Sequence, residues 1–116
     1  MPLSYEVDKE LEVPDGAFDK NDIATILVTG GRYGGHWQLT AIPLVNGVPT
    51  DEAIGQIMTA QDNRPDMAID TAVVWINDAC QKADFKLAHF ENKNNLHSPD
   101  EAPYFASGLF FVDRRK

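Results

Sequence analysis

An α+β fold is what the sequence predicts: a largely antiparallel sheet of about five strands packed on one long helix, in a single two-layer domain. Three observations predict it. Residues 4–13 alternate without a break, which is the period of a half-buried strand. Ile69, Ala72, Val73, Ile76, Cys80 and Ala83 recur at the spacing of one helix face. Tyr104 to Val112 is apolar on both faces, as in a central strand covered on both sides. A chain of 116 residues buries about two-thirds of its unfolded surface, enough for one core without disulfides or a structural metal.

Taken in order, the first strand places Tyr5, Val7, Lys9, Leu11 and Val13 on one face and Ser4, Glu6, Asp8, Glu10 and Glu12 on the other. Pro14-Asp15-Gly16 ends it. Ile23 to Thr29, rich in β-branched residues, is the second strand. Gly30-Gly31-Arg32-Tyr33-Gly34-Gly35 then leads into a returning strand from His36 to Val45, with Trp37, Leu39 and Ala41 on one face and His36, Gln38, Thr40 and Ile42 on the other. Pro43 within it demands an edge or a bulge near that end, because proline donates no ladder hydrogen bond. Asn46-Gly47-Val48-Pro49 is a turn. Thr50, followed by Asp51 and Glu52, has the chemistry of a helix start, so a short helix is expected over 51–59, weakened by Gly55.

Asp62 or Asn63 is the expected cap of the long helix, with Pro65 in its first turn, where a missing N–H costs nothing. That helix runs to about Ala83 and turns Asp66 and Asp70 outward. A strand over 84–91, a polar loop over 92–103, the strand 104–112 and an exposed basic end at 113–116 complete the order β-β-β-α-α-β-β.

Eighteen acids against ten bases give a net charge of −8. Residues 1–22 hold seven acids against two lysines, whereas 23–50 hold Arg32 alone. This sign disfavours direct contact with nucleic acid or an anionic membrane, both of which require clustered Lys and Arg. It favours a basic protein as partner. A single cysteine, the absence of a long apolar run and a start without signal-peptide character point to a cytoplasmic protein.

Catalytic chemistry finds little support. Cys80 lies on the apolar helix face, where burial makes a thiol inert. Ser4, Ser98 and Ser107 stand in no nucleophile context. His36, His89 and His97 lack helical ligand spacing, and the loop cluster of His89, Glu91, His97, Asp100 and Glu101 has no diagnostic pattern, so no metal or cofactor is expected. The glycine-rich segment joins strand to strand and lacks the lysine of a phosphate loop. It is read as a hairpin, or as a binding tip with Arg32 and Tyr33 as anchors.

The acidic row Glu6, Asp8, Glu10 and Glu12 is either a docking strip for a basic groove or a charged guard on an edge strand. In size and charge the chain resembles the broad class of phage or mobile-element inhibitors of host defence enzymes, and toxin-immunity proteins. That resemblance implies a non-enzymatic inhibitor occupying a basic, nucleic-acid-binding surface. Its contacts would be Glu6, Asp8, Glu10, Glu12, Arg32, Tyr33, Asp66 and Asp70. Two other classes are carried beside it: a small-molecule binder or simple enzyme with Arg32, His36 and Trp37 at the rim of a pocket near the Gly30–Gly35 segment, and a structural subunit of a homo-oligomer.

Overall fold

The computed structural model describes residues 5–59, 64–101 and 103–115. Its elements are β1 (Tyr5–Lys9), β2 (Ile23–Tyr33), β3 (His36–Val45), β4 (Val48–Pro49), β5 (Gly55–Thr59), α1 (Pro65–Lys82), β6 (Lys86–Asn92) and β7 (Phe105–Asp113), with 3-10 turns at Asp15–Ala17 and Asn94–Leu96. All pairings are antiparallel, in the order β1-β5-β3-β2-β7-β6, and β4 pairs with β3 outside that path. The helix packs on one face of the sheet. The two-layer α+β architecture is therefore as expected, but the strand count and order are not: the described residues form seven strands and one α-helix.

The expected helix over 51–59 is a strand. Gly55, Ile57 and Thr59 are buried while Gln56 and Met58 are half-buried, so the segment alternates and pairs with both β1 and β3. Helix-start chemistry is present but spent locally, as the Thr50 hydroxyl accepts the Glu52 N–H in a turn. Gly55 sits under Trp75, where a Cβ would lie 2.8 Å from the indole ring. The glycine read as a weak helix position is thus a close-packing position.

Helix α1 begins at Pro65, so the extended residue before the proline, Arg64, is its N-cap and makes no side-chain cap. Asp62 and Asn63 lie outside the described residues. Its buried face comprises Ala68, Ile69, Thr71, Ala72, Trp75, Ile76 and Cys80, wider than expected on the side of Trp75, while Ala83 is exposed. Asp84, at φ 67°, closes the helix: its N–H bonds Gln81 and the Phe85 N–H bonds Cys80.

The hairpin between β2 and β3 turns on Gly34 and Gly35 alone, both at positive φ (58° and 88°). Gly30 and Gly31 belong to β2. A Cβ at Gly30 would meet the Gln38 carbonyl oxygen at 1.8 Å. Pro43 is tolerated because its carbonyl accepts from Thr50 on the side where β5 has already ended, at the Ala41–Gly55 pair.

Ala24, Ile26, Val28, Trp37, Leu39, Ala41, Ile57, Ala106, Phe110 and Val112 form the sheet side of the core, with all of them fully buried. Strand β7 is central, between β2 and β6, yet only one of its faces is covered among the described residues. Of the expected exposed end, Arg115 is exposed and Lys116 lies outside the described residues, whereas Arg114 is tied down. Arg114 bonds Asp22 at 3.0 Å and Asp15 at 3.3 Å and lies 4.4 Å over the Phe18 ring, while Arg115 holds Asp113 at 2.9 Å.

Candidate functional site

Strand β1 is an edge strand and shorter than the alternation suggests. A bulge between Val7 and Lys9 breaks the register. Before it, Tyr5 and Val7 face the core side, opposite the buried Thr59 and Ile57; after it, Lys9 stands opposite Gln56 on the other side of the sheet. The extra residue is Asp8. The expected even row of four acids is therefore a ribbon: Glu6 on the strand, Asp8 on the bulge, and Glu10 and Glu12 on the coil that follows, all exposed.

Two carboxylates that the sequence reading did not group with the row, Asp78 and Glu52, join this ribbon. Asp78, on the exposed side of α1, accepts a hydrogen bond from the Tyr5 hydroxyl at 3.2 Å. Burial raises the Tyr5 pKa, and Asp78 and then Glu10 raise it further. Glu52 lines the same shallow crevice as Lys9 and Glu12, about 230 Å³ in volume. Lys9 is the cation nearest in sequence, but its ammonium donates to the Ala53 carbonyl. Among the described residues none of Glu6, Asp8, Glu10 and Glu12 forms an ion pair. The helical signal for Asp78 was available only through the tertiary path of Tyr5, which no spacing rule reveals.

Asp66 and Asp70 do not join the ribbon. Asp66 accepts from the Asn94 side-chain amide at 3.3 Å, beside β6, the opposite edge of the sheet. Arg32 and Tyr33 stand at the end of β2. Tyr33 is 56% exposed and comes with aromatic company that the sequence did not group with it: Tyr104, also 56% exposed, and Phe105. Gly31 lets them close, since a Cβ there would lie 3.3 Å from the Tyr33 hydroxyl oxygen and 3.4 Å from the Phe105 ring.

Arg32, His36 and Trp37 do not converge on one rim. Register pairs Arg32 with Trp37 on the helix side and His36 with Tyr33 on the other, and Trp37 is fully buried.

One hydrogen-bonded chain crosses β7. The Ser107 hydroxyl lies 2.9 Å from the Thr29 hydroxyl and 3.0 Å from Nε2 of His97, which stacks on Phe105. The Ser107 N–H donates to Asn94 Oδ1 at 2.8 Å. No carboxylate among the described residues holds the other ring nitrogen of His97, and Ser107 is 8% exposed in mid-strand. This arrangement clamps the 94–97 turn to the sheet; it lacks the third group that would orient a base. Burial pushes the Cys80 thiol up to about 11, so it stays protonated at neutral pH. No three His, Cys, Asp or Glu side chains among the described residues could hold a metal ion. No described helix is long and apolar enough to cross a membrane.

Against known proteins, the chain matches no family model, no curated protein and no solved structure.

Proposed function

We propose that the protein acts by binding, docking its acidic β1 edge onto a basic surface of another protein of the kind that otherwise holds nucleic acid. One observation carries this reading: Glu6, Asp8, Glu10 and Glu12, joined by Asp78 and Glu52, crowd one exposed edge while the local lysine is occupied elsewhere. Like charges on a strand edge repel unless solvent or a cationic partner relieves them. A guard against edge-to-edge pairing needs one or two charges; six around one edge supply a field that steers a basic partner. Tyr33, with Tyr104 and Phe105, supplies aromatic anchors at the adjoining end of the sheet. An inhibitor of a nucleic-acid-handling enzyme fits this chemistry, with Asp66 and Asp70 as a separate, secondary patch.

The test is capture of basic proteins on the immobilised chain with elution by a NaCl gradient. The comparison is a variant carrying Glu6→Gln, Asp8→Asn, Glu10→Gln and Glu12→Gln. A control removes equal charge at Asp51, Glu91, Asp100 and Glu101. The expected result is a nucleic-acid-binding protein retained by the wild type and the control, released as salt rises, and lost from the edge variant. Equal losses in both variants, or none in either, would overturn the assignment.

A further inference from the structure

The sheet face opposite α1 is built from the outward residues of β2, β3 and β7, and its centre is apolar: Ile23, Leu27, Ile42, Leu44, Leu109 and Phe111. Register places Leu27 directly between Ile42 and Leu109, and Thr25 beside Phe111. No α-helix covers this face among the described residues; residues 16–19 flank its lower end, His89 packs on Phe111 and the 94–97 turn meets Ser107 at its upper end. Strand β7 is apolar on both sides, which is the pattern of a doubly covered strand, yet the described residues place an α-helix on only one side. The lower end of the face deepens into a groove of about 400 Å³ between residues 16–19 and 44–47, floored by Thr25, Leu109 and Phe111.

We infer that a second copy of this chain covers this face, the two sheets packing face to face as a two-fold dimer. Charge points to that occupant. The chain carries −8, and two copies repel wherever acidic surfaces meet. Across the central strands, from Thr25 to Thr29 and from Gln38 to Leu44, the outward residues include no Asp, Glu, Lys or Arg. The centre of this face is therefore where two like-charged copies can meet without opposing carboxylates, Asp113 beside Ile23 and Glu91 beside Leu109 lying at its rim. A basic partner, by contrast, would find nothing there to pair with.

Area agrees. The strands β5, β3, β2, β7 and β6, of 5 to 11 residues, about 4.8 Å apart and rising about 3.3 Å per residue, give a face of roughly 670 Å². The molecule's 38 × 29 × 21 Å extents accommodate it. Specific, stable interfaces bury about 600–1,000 Å² per partner. Two antiparallel sheets pack about 10 Å apart with their inner apolar residues interdigitated, and a two-fold axis makes the apolar centre its own complement. The dimer leaves both acidic β1 edges free, so this inference stands apart from the docking role proposed above.

The experiment is sedimentation velocity of the full chain over about a thousandfold range of concentration, at low and high NaCl. The expected species has twice the 12.9 kDa chain mass. It strengthens with salt, because screening relieves the repulsion of two acidic copies, opposite to the salt response of the basic-partner complex. Leu109→Lys should give a monomer. Thr40→Arg, which keeps every apolar side chain and adds one charge at the half-buried centre, should do the same with its melting temperature as a folded monomer retained. Val74→Lys, on the outer face of α1, should leave the dimer intact. A wild-type monomer at every concentration overturns the inference, as does a dimer that Thr40→Arg leaves unchanged.

Discussion

Gly30 and Gly34 stand four residues apart in one hairpin, and the same substitution at each has a different physical meaning. At Gly30 the obstacle is the backbone of β3: an added Cβ falls 1.8 Å from the Gln38 carbonyl oxygen and 2.9 Å from the Leu39 Cα. Neither can retreat without opening the β2–β3 ladder. At Gly34 the space is open, the nearest atom being His36 Cε1 at 3.9 Å, and only the positive φ of 58° resists. Gly30→Ala should therefore cost about 3 kcal/mol or more through forced overpacking, and Gly34→Ala about 1 kcal/mol through the left-handed backbone alone. Urea midpoints measured on both variants check this; equal losses would mean that β2 and β3 do not approach as closely at Gly30 as described. The same scale holds the Tyr5–Asp78 contact. Burial first, then Asp78, raises the Tyr5 pKa, so its ionisation followed by phenolate absorbance should come above that of a free tyrosine. Asp78→Asn should bring it part of the way back. Because the folded state holds this proton more tightly than the unfolded chain, stability should fall as pH rises from the unfolded value through the folded one, above about pH 10. A Tyr5 titration indifferent to Asp78→Asn would detach α1 from the acidic edge.

Elements were legible in the sequence where one period dominated. Strand β3 runs over His36–Val45 with Trp37, Leu39 and Ala41 sharing one face, as the alternation required, and α1 carries its apolar face from Ile69 to Cys80. Where two signals competed, the weaker-looking one won through tertiary pairing. In β5 the Thr50-Asp51-Glu52 start signal was local and real, but only five residues follow from Gly55 to Thr59. A helix that short is marginal by itself, whereas a strand of that length gains ladders on both sides, to β1 and β3. At β1 the ten-residue alternation hid a bulge, because the residues around it, Asp8, Lys9 and Glu10, are all exposed and no burial penalty marks the slip. The candidate site suffered most from this limit. Its strand acids could be read off the chain, but Asp78 and Glu52 arrive from other elements, and Asp66 leaves for the opposite edge by its bond to Asn94. At β7 the sequence pattern asked for cover on both sides and the described residues supply one, a discrepancy that the proposed dimer would resolve.

At the scale of the whole molecule, charge and apolar surface are segregated. Six acids crowd the β1 edge, while the centre of the sheet face opposite α1 is uncharged from Thr25 to Thr29 and from Gln38 to Leu44, with Glu6, Glu91 and Asp113 only at its rim. Unpaired carboxylates near one another raise the free energy of the compact state, and added ions screen that term as the Debye length falls from about 10 Å at 0.1 M towards 3 Å at 1 M. Measured in the Thr40→Arg background, so that salt-strengthened association does not contribute, the protein should therefore gain a few degrees in melting temperature between low and about 0.5 M NaCl. The gain should shrink in the variant that neutralises Glu6, Asp8, Glu10 and Glu12, because those four hold no ion pair of their own among the described residues. It should persist when equal charge is removed at Asp51, Glu91, Asp100 and Glu101. Ion pairs pull the other way: Arg114 with Asp15 and Asp22, and Arg115, which holds the Asp113 carboxyl below its ordinary pKa, weaken on screening. The sign of the slope thus reports which population of carboxylates dominates. A melting temperature that stays flat or falls with NaCl would mean that the edge acids are already relieved in the free protein, and the electrostatic basis for docking on a basic partner would go with them.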